Sequence, residues 1–329
     1  MKSRPPSNRK PKTAFLFPGS GAQYPGMGRG LRDAFPAVEQ NLRSINLAIG
    51  RDIAAAMDGP EALLFPPVNS PDPTVFMEVT MALALAVARS LGAAGARPDI
   101  AAGRSMGEYS AAAFAGVFSD ADCFGMVRHV TLNGQQDCLD SPSFLVTIYG
   151  LDRRELAAAA RQVERGGELC EVVAFYDKAR LGVAGLRKAA LPLLRAALAP
   201  HRHRISLSRE VGAFHTTLFN RLAARAALYF DGVKFSRPAI PLYMNVDGKR
   251  ELSPAGLKRK LAAALVRPVL WQETIAALLR AGVRTFVELA PGAMLTEFVC
   301  ELPADAEVLR TDTPENYRRA LARLKAGCR

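Results

Sequence analysis

The chain has 329 residues, of which 49% are hydrophobic and 7% aromatic, and its formal net charge is +12. This length and apolar content allow a sizeable core, which excludes overall disorder, and the alanine-rich runs favour helices covering a sheet over an all-β design. Nucleic-acid readout is not expected, because there is no zinc-finger spacing and no basic stretch interleaved with aromatics. No membrane span is expected either, since Glu78 and Arg89 interrupt the most apolar stretch.

The first twelve residues include five lysines and arginines and no acidic residue, which predicts a flexible basic arm over residues 1–12. The positive charge would suit nucleic acid, anionic lipid, or an acidic protein with phosphate groups, and charge alone does not choose among them. The five cysteines lie far apart without a C-x-x-C pair, so neither a disulfide framework nor a metal site is predicted. With no apolar signal-peptide core, we expect a cytoplasmic protein with reduced thiols.

After the arm, the pattern predicts alternating strands and helices. Thr13–Phe17 is a short apolar run ended by Pro18 and Gly19, typical of a buried strand that opens into a glycine-rich turn, PGSGAQYPGMG. A helical stretch follows over about Thr74–Leu91, and Asp99–Ala102 is a second short strand. The pentapeptide G-R-S-M-G comes next and leads into an alanine-rich helix. Strand, tight turn and helix therefore follow one another around this pentapeptide.

The middle of the chain has a pattern of its own. Apolar runs (FLVTIYGL, CEVVAFY, LGVAGL) alternate with charged helical stretches such as DRRELAAAARQVERG, which predicts a small α+β subdomain over residues 141–207. The chain then returns to the larger unit with GAFHTT, PAIPLYMNVDG and GVRTFVELAPGAML. The predicted fold class is therefore α/β, with a large domain over 13–140 and 208–329 and an inserted subdomain.

Ser105 is the candidate nucleophile. In a G-x-S-x-G turn between strand and helix, the flanking glycines let the backbone bend sharply and let a substrate approach the serine. The helix that follows places free N–H groups and partial positive charge beside it, so the Met106 amide is the natural oxyanion donor. By itself the pentapeptide is weak evidence, because small residues in glycine-rich turns match it by chance.

A serine needs a base to take its proton, and the chain has four histidines. His201 and His203 lie in the cationic stretch HRHRIS, which predicts a solvated surface. His129 falls on a helical pattern near its apolar face, where a histidine more often packs or faces solvent. His215, in the mildly apolar GAFHTT segment, is the best candidate for the base.

Six blocks of sequence resemble the malonyl-CoA:acyl-carrier-protein transacylase family and the acyltransferase domains of polyketide synthases. FLFPGSGAQYPGMG is similar to the family's F-P-G-Q-G-S-Q opening, and GRSMGEYSAAAFAGVFS to its G-H-S-x-G-E-Y-x-A-x-x-x-A-G-x-x-S block. GAFHTTLF resembles the F-H-S segment, PAIPLYMNVDG the P-x-x-x-N-x-x-G strand, and RPVLWQETI and FVELAPGAML the P-V-x-W and E-x-G-P-G-x-x-L elements. The blocks occur in order over nearly the whole chain after residue 12.

The resemblance implies an α/β-hydrolase-like parallel-sheet domain with a ferredoxin-like insert, and a Ser105–His215 dyad whose histidine is oriented by a backbone carbonyl. It implies an oxyanion hole from the backbone amides of Ser20 and Met106, although the family has Gln at position 20. No bound cofactor is expected, because phosphopantetheine belongs to the carrier protein or CoA substrate. The implied partners are an acyl carrier protein and an acyl thioester, and we expect a monomer.

One departure from the family concerns the substrate. Members that load malonyl or methylmalonyl units bind the free carboxylate with an arginine about twenty-five residues after the serine, and this position is Val130 here. Gln135 aligns with the glutamine that closes the family's block, which supports the register. Arg128 is two residues away, but two helical steps rotate it by about 200°. A carboxylate beside Val130 would lose its hydration without a partner, so we expect dicarboxylic acyl groups to be disfavoured.

Three further pocket candidates complicate this expectation. Arg104 replaces the family's histidine before the nucleophile, and AFYDKAR replaces the N-Y-N-x-P-x-Q segment, which places Asp177 and Arg180 where neutral polar groups are expected. Arg104 could be a relocated anion clamp, could pair with Asp177 across the cleft, or could pair with another nearby carboxylate.

The leading hypothesis is a free-standing acyltransferase of polyketide-type biosynthesis that carries a monocarboxylic or elaborated acyl group on Ser105. One alternative is a proofreading hydrolase that releases acyl groups from stalled carrier proteins; another is a malonyl transacylase with a relocated arginine clamp. A generic α/β-hydrolase esterase would not account for the FPGSGAQ loop. A carrier-binding scaffold without chemistry would account for the altered Arg104, Ala290 and AFYDKAR positions.

Overall fold

Two β-sheets of different type organise the chain in the computed structural model, which describes residues 10–67, 69–176, 180–207, 212–293, 295 and 302–326. The strands are β1 (Lys12–Phe17), β2 (Ile100–Gly103), β3 (Ser143–Tyr149), β4 (Cys170–Tyr176), β5 (Leu181–Arg187), β6 (Arg204–Leu207), β7 (Leu242–Met244), β8 (Lys249–Glu251), β9 (Val283–Glu288) and β10 (Glu307–Arg310). A six-stranded sheet has the order β10-β9-β1-β2-β7-β8, and a four-stranded sheet has the order β4-β5-β3-β6.

Helices cover both sheets, as the alanine-rich composition predicts. They are α1 (Arg29–Ala34), α2 (Pro36–Ile49), α3 (Ile53–Asp58), α4 (Glu61–Leu64), α5 (Val75–Ala93), α6 (Gly107–Phe114), α7 (Asp120–Asp140), α8 (Arg153–Arg165), α9 (Leu191–Leu198), α10 (Asn220–Asp231), α11 (Pro254–Ala264), α12 (Trp271–Arg280) and α13 (Pro314–Ala326). The mixed α/β prediction is confirmed.

The large sheet is parallel except for its edge strand β8, which runs antiparallel to β7. Its central strand β1 is buried on both faces: Phe15 and Phe17 belong to the main core, while Ala14 and Leu16 face a second core that includes α12. This two-sided burial explains why β1 is a continuous apolar run without polar alternation. Ser105 follows the carboxyl end of β2, beside β1, which is where open α/β sheets place their ligands.

The structure corrects two strand boundaries. Lys12 begins β1, because its N–H donates to the Gly282 carbonyl at 3.0 Å, so it does not belong to a flexible arm. Residues 1–9 of the predicted arm lie outside the described residues. Asp99 precedes β2 instead of starting it, since its carboxylate accepts the Thr13 N–H at 2.8 Å. The Asp99 N–H donates in turn to the Thr13 carbonyl at 2.9 Å, so one backbone and one side-chain hydrogen bond join Asp99 to β1 just before β2 begins.

Helix α5 is long and apolar enough to span a membrane by length and composition, but 83% of its apolar window is buried inside the protein. Residues on all sides of α5 belong to the main core, where the helix packs against α2, α6 and β1. An all-round apolar helix of this kind is typical of the core of a large domain. The helix is therefore a core element of the large domain.

The small sheet is antiparallel, with β3 paired to β5 and β6, and β4 paired to β5. Together with α8 and α9 it has the connectivity β-α-β-β-α-β, which confirms the ferredoxin-like prediction. One face packs on α8 and α9, and the opposite face carries Val173, Leu181 and Val183 toward the second core of the large sheet. The predicted domain boundaries at residues 141 and 207 bracket these strands and stay a prediction about how the chain divides.

Candidate active site

The turn between β2 and α6 holds Ser105 in a strained backbone conformation, with φ of 52°. Two glycines make the turn possible. A Cβ on Gly103 would lie 2.0 Å from the carbonyl of Gly107, and a Cβ on Gly107 would lie 2.3 Å from the carbonyl oxygen of Phe17. No side chain fits at either position, so the G-x-S-x-G spacing follows from backbone contact within the turn and against β1.

Ser105 and His215 are brought together from positions 110 residues apart. The serine Oγ lies 2.7 Å from His215 Nε2, and His215 Nδ1 lies 2.6 Å from the carbonyl oxygen of Ala264. A carbonyl can only accept, so Nδ1 carries the proton and Nε2 is the acceptor that faces the serine hydroxyl. The arrangement can therefore remove a proton from Ser105 without a third acidic side chain.

The backbone fixes the position of His215, and burial keeps its imidazole neutral. The backbone φ of His215 is 69°, and its backbone N–H donates to the Leu265 carbonyl at 2.8 Å. Burial against the cavity wall lowers the pKa of His215 to about 4; the hydrogen bond to Ala264 opposes this shift, and the positive charge of Arg104 adds to it. The histidine is therefore unprotonated at neutral pH, as a general base must be.

The loop after β1 approaches the same turn. A Cβ on Gly19 would lie 2.5 Å from the carbonyl oxygen of Arg104, so the loop contacts the backbone of the serine turn directly. Ser20 and Met106 both line the cavity next to Ser105. Within the described part of the chain, neither of their backbone N–H groups donates to a protein acceptor. Two unoccupied donors beside a nucleophile can stabilise an oxyanion.

Gln23 shapes this loop, and sequence analysis did not single it out. Its Oε1 accepts the N–H of Gly21 at 2.8 Å, and its Nε2 donates to the Leu64 carbonyl at 3.1 Å. Gly21 has φ of 94°, which favours glycine. The buried amide thus holds the loop in the shape that places Ser20 near Ser105. The only available signal was the second glutamine position of the F-P-G-Q-G-S-Q motif.

Asn245, just after β7, clamps the serine turn and was also missed. Its Oδ1 accepts the Ser105 N–H at 2.8 Å, and its Nδ2 donates to the Gly103 carbonyl at 2.9 Å. Its own N–H donates to Glu108 Oε1 at 2.6 Å. Burial raises the pKa of Glu108 to about 8, so this side chain is mostly a neutral acid at pH 7. The signal was the asparagine in PAIPLYMNVDG, whose partners are distant in sequence.

We expect Asn245→Ala to slow formation of an acyl-enzyme by about 10- to 100-fold, because the turn loses two hydrogen bonds of about 1 kcal/mol each. Unfolding by denaturant should show a stability loss of about 2 kcal/mol. The control is Asn133→Ala, which removes a comparable 2.8 Å bond to the His129 carbonyl on α7. If both variants react at the wild-type rate, Asn245 has only a structural role.

A cavity of about 250 Å³ opens beside Ser105, between the large sheet and the small one. Apolar side chains make most of its wall. Those from the large domain are Met77, Met106, Val127, Val130, Phe214, Leu265 and Val269, and those from the small sheet are Leu145, Val173, Leu181 and Val183. The volume exceeds the roughly 150 Å³ that holds a benzene molecule in an engineered apolar cavity.

Val130 lies in this wall with 7% of its surface exposed. Arg128 does not line the cavity. It is ion-paired through Nε with Glu78, a fully buried carboxylate that also binds Arg51 at 3.0 Å. Two helical steps turn Arg128 away from Val130, and the pair with Glu78 holds it there.

Two of the predicted pocket residues do not line the cavity. Gln135 is five helical steps from Val130, a rotation of about 140°, and its Nε2 donates to the Ser70 carbonyl at 2.8 Å. Arg180 lies in the turn before β5, where it donates to the Gly150 carbonyl at 3.0 Å and pairs with Glu155. Both are corrections to the predicted pocket. Asp177 lies outside the described residues.

Arg104 does line the cavity, and it contacts the small subdomain. Its Nε donates to the hydroxyl of Tyr176 at 2.7 Å, and the guanidinium carbon lies 5.6 Å from the centre of that ring. A pair between Arg104 and Asp177 stays a prediction, because Asp177 is not described.

The other histidines lie away from the cavity. His129 stacks on Tyr229 with ring centroids 4.2 Å apart, and His201 and His203 are at the surface of the small subdomain, where His201 Nδ1 is 3.6 Å from Glu155. Among the residues that the structure describes, no group of three or more His, Cys, Asp or Glu side chains could hold a metal ion.

The chain is similar in sequence and in fold to known acyltransferases. Residues 14–134 match the family model "Acyl transferase domain". A malonyl CoA-acyl carrier protein transacylase of Salmonella typhimurium is 31% identical over 289 residues, 86% of this chain and 90% of the relative. That of Bacillus subtilis is 26% identical over 315 residues, covering 95% and 98%. A solved malonyl-transacylase in complex with its type II PKS acyl-carrier protein superposes with a TM-score of 0.86, at 27% identity and 95% and 99% coverage.

The similarity therefore extends over nearly the whole length of both chains, and the match to the family model includes the loop after β1 and the serine turn. Enzymes of this kind use no resident cofactor, because the phosphopantetheine thiol arrives on the substrate. The chain belongs to the malonyl-CoA:acyl-carrier-protein transacylase family of acyltransferases.

Proposed function

We propose that this acyltransferase moves acyl groups without a free carboxylate between thioesters, through an ester on Ser105. The observation that carries the proposal is the apolar wall around Val130, in which the nearest α7 cation, Arg128, is held by Glu78 instead of facing the cavity. The Ser105–His215 contact supplies the chemistry.

The first half-reaction forms the acyl-enzyme. His215 Nε2 takes the hydroxyl proton while Ser105 Oγ bonds to the thioester carbonyl carbon, and the carbonyl electron pair moves onto oxygen. The amides of Ser20 and Met106 would bind this oxyanion. When the carbonyl re-forms, the C–S bond breaks, and the departing thiolate takes the proton from His215. The products are a free thiol and acyl-Ser105.

The second half-reaction repeats these steps with a new thiol. His215 takes the proton of a phosphopantetheine thiol, the sulfur attacks the ester, and Ser105 leaves with the proton returned to its oxygen. An acyl carrier protein of polyketide-type biosynthesis is the acceptor that we propose, since a solved relative is bound to such a carrier. The net charge of +12 suits an acidic partner.

The preference against malonate follows from solvation. A malonyl carboxylate next to Val130 would exchange water for methyl groups, at a cost of several kcal/mol. The competing candidate is a malonyl transacylase in which Arg104 binds the carboxylate. It is favoured by the place of Arg104 in the cavity wall and by the names of the relatives.

The test is to incubate the protein with acetyl-, butyryl-, hexanoyl- and malonyl-loaded carrier proteins and follow all species by intact mass. We expect butyryl and hexanoyl groups to move to a second carrier at least about tenfold faster than malonyl. Ser105→Ala, which lacks the proposed nucleophile, is the negative control. Efficient malonyl transfer would overturn the proposal in favour of the Arg104 clamp, and acyl loss without transfer would identify a hydrolase.

A further inference from the structure

Arg104 stands at the junction of three parts of the site. Its backbone belongs to the serine turn, its Nε donates to the Tyr176 hydroxyl at the end of β4, and its Nη1 lies 3.7 Å from the place that a Cβ would take on Gly19. The guanidinium therefore lies between the small subdomain and the loop that carries Ser20. Tyr176 is only 1% exposed, so the residues packed around it hold its hydroxyl in place.

We propose that Arg104, anchored by Tyr176, adds a positive charge to the oxyanion hole of the acyl-transfer reaction. Tyr176 lines the same cavity, and it acts as a positioning residue because its hydroxyl accepts the hydrogen bond from Arg104 Nε. This inference rests on the proposed role of Ser105 and His215, and goes beyond it by assigning a function to the two side chains that bridge the domains.

The physical basis is the location of the charge that develops during the reaction. Each tetrahedral intermediate places a negative charge between the amides of Ser20 and Met106, and Ser20 adjoins Gly19, beside which Nη1 lies. A fixed charge in a site of reduced dielectric stabilises the intermediate without reorganisation during the reaction.

The same charge has a measurable effect on the base. Burial is the main cause of the lowered pKa of His215, and Arg104 lowers it further. Among the described residues, Arg104 is the charged side chain that shifts the pKa of His215. On the α11 side, the imidazole of His215 faces the backbone carbonyls of Ala264 and Arg267. Removing the guanidinium charge should therefore raise the pKa of His215 toward its ordinary value.

The experiment measures the single-turnover rate of acyl-enzyme formation from butyryl-CoA between pH 4.5 and 8.5, by quench and intact mass. For wild type we expect a rate that is flat from about pH 5.5 upward, because His215 is neutral there. For Arg104→Gln we expect the plateau rate to be 10- to 100-fold lower. We also expect the fall of the rate at low pH, the acid limb of the profile, to lie at higher pH than in wild type. Arg104→Lys keeps the charge and should keep the limb in place.

Tyr176→Phe separates the anchor from the charge. It removes the acceptor hydroxyl and leaves the ring, and we expect a 3- to 10-fold slower reaction with the acid limb unchanged. In the Arg104→Gln background the same substitution should have no further effect, because the two residues act as one unit. Thermal unfolding of each variant shows whether it is folded, and the Lys and Phe variants carry the test if Arg104→Gln is not.

The outcomes are distinct. A wild-type plateau and an unmoved acid limb in folded Arg104→Gln would overturn the inference, and so would a loss confined to malonyl-CoA, which identifies a carboxylate clamp instead. If wild type forms no ester on Ser105 with any acyl group, the proposed dyad itself fails, whatever the Arg104 variants do.

Discussion

Ser105→Ala is expected to abolish the acyl-enzyme, and His215→Ala to slow its formation by a factor of about 10³ or more. Without its base the serine hydroxyl stays protonated and is a poor nucleophile, while the amides of Ser20 and Met106 still bind the carbonyl. The measurement is the mass increase of the intact protein after mixing with butyryl-CoA, followed by peptide mapping of the modified residue.

The matched control is Ser110→Ala. Ser110 lies on α6, one and a half turns after the nucleophile, and is fully buried. Its replacement should leave the rate of acylation within about threefold of wild type. Acylation that survives in Ser105→Ala and maps to another residue would show that the serine turn is not the reacting group.

Val130→Arg is expected to raise the rate of malonyl transfer relative to butyryl transfer by about 100-fold. The guanidinium would meet the malonyl carboxylate inside the cavity, and charge-assisted hydrogen bonds are worth about 1.5–3 kcal/mol each. It would also fill part of the roughly 250 Å³ in which an apolar acyl group is expected to lie. The ratio of kcat/KM values for malonyl-CoA and butyryl-CoA measures the change.

Val130→Met is the control for this experiment, because it lengthens the side chain without adding charge. We expect it to slow butyryl transfer and to leave malonyl transfer low. If Val130→Met raises the malonyl ratio as much as Val130→Arg does, the change comes from cavity size and not from charge. If wild type already prefers malonyl, the solvation argument at Val130 is wrong.

The fold class and the serine turn were predictable from the sequence, since they depend on local patterns. Apolar runs of four to seven residues mark β1 to β5, and the glycines around Ser105 mark a turn that no side chain at positions 103 or 107 would allow. His215 followed from a choice among four histidines and from the family resemblance. The predicted pocket was less accurate, because Gln135 and Arg180 bind backbone carbonyls elsewhere.

What only the tertiary structure decided are the contacts that join distant segments. The acceptor that orients His215 is the carbonyl of Ala264, and a backbone atom leaves no trace in residue identity. Asn245 reaches Ser105 from 140 residues away, and Arg104 reaches Tyr176 across the two domains. Local composition and periodicity report which face of an element is apolar, whereas the packing of whole sheets decides which polar groups meet. The sequence by itself therefore determined that Ser105 is presented on a sharp turn, and the tertiary structure decided what surrounds it.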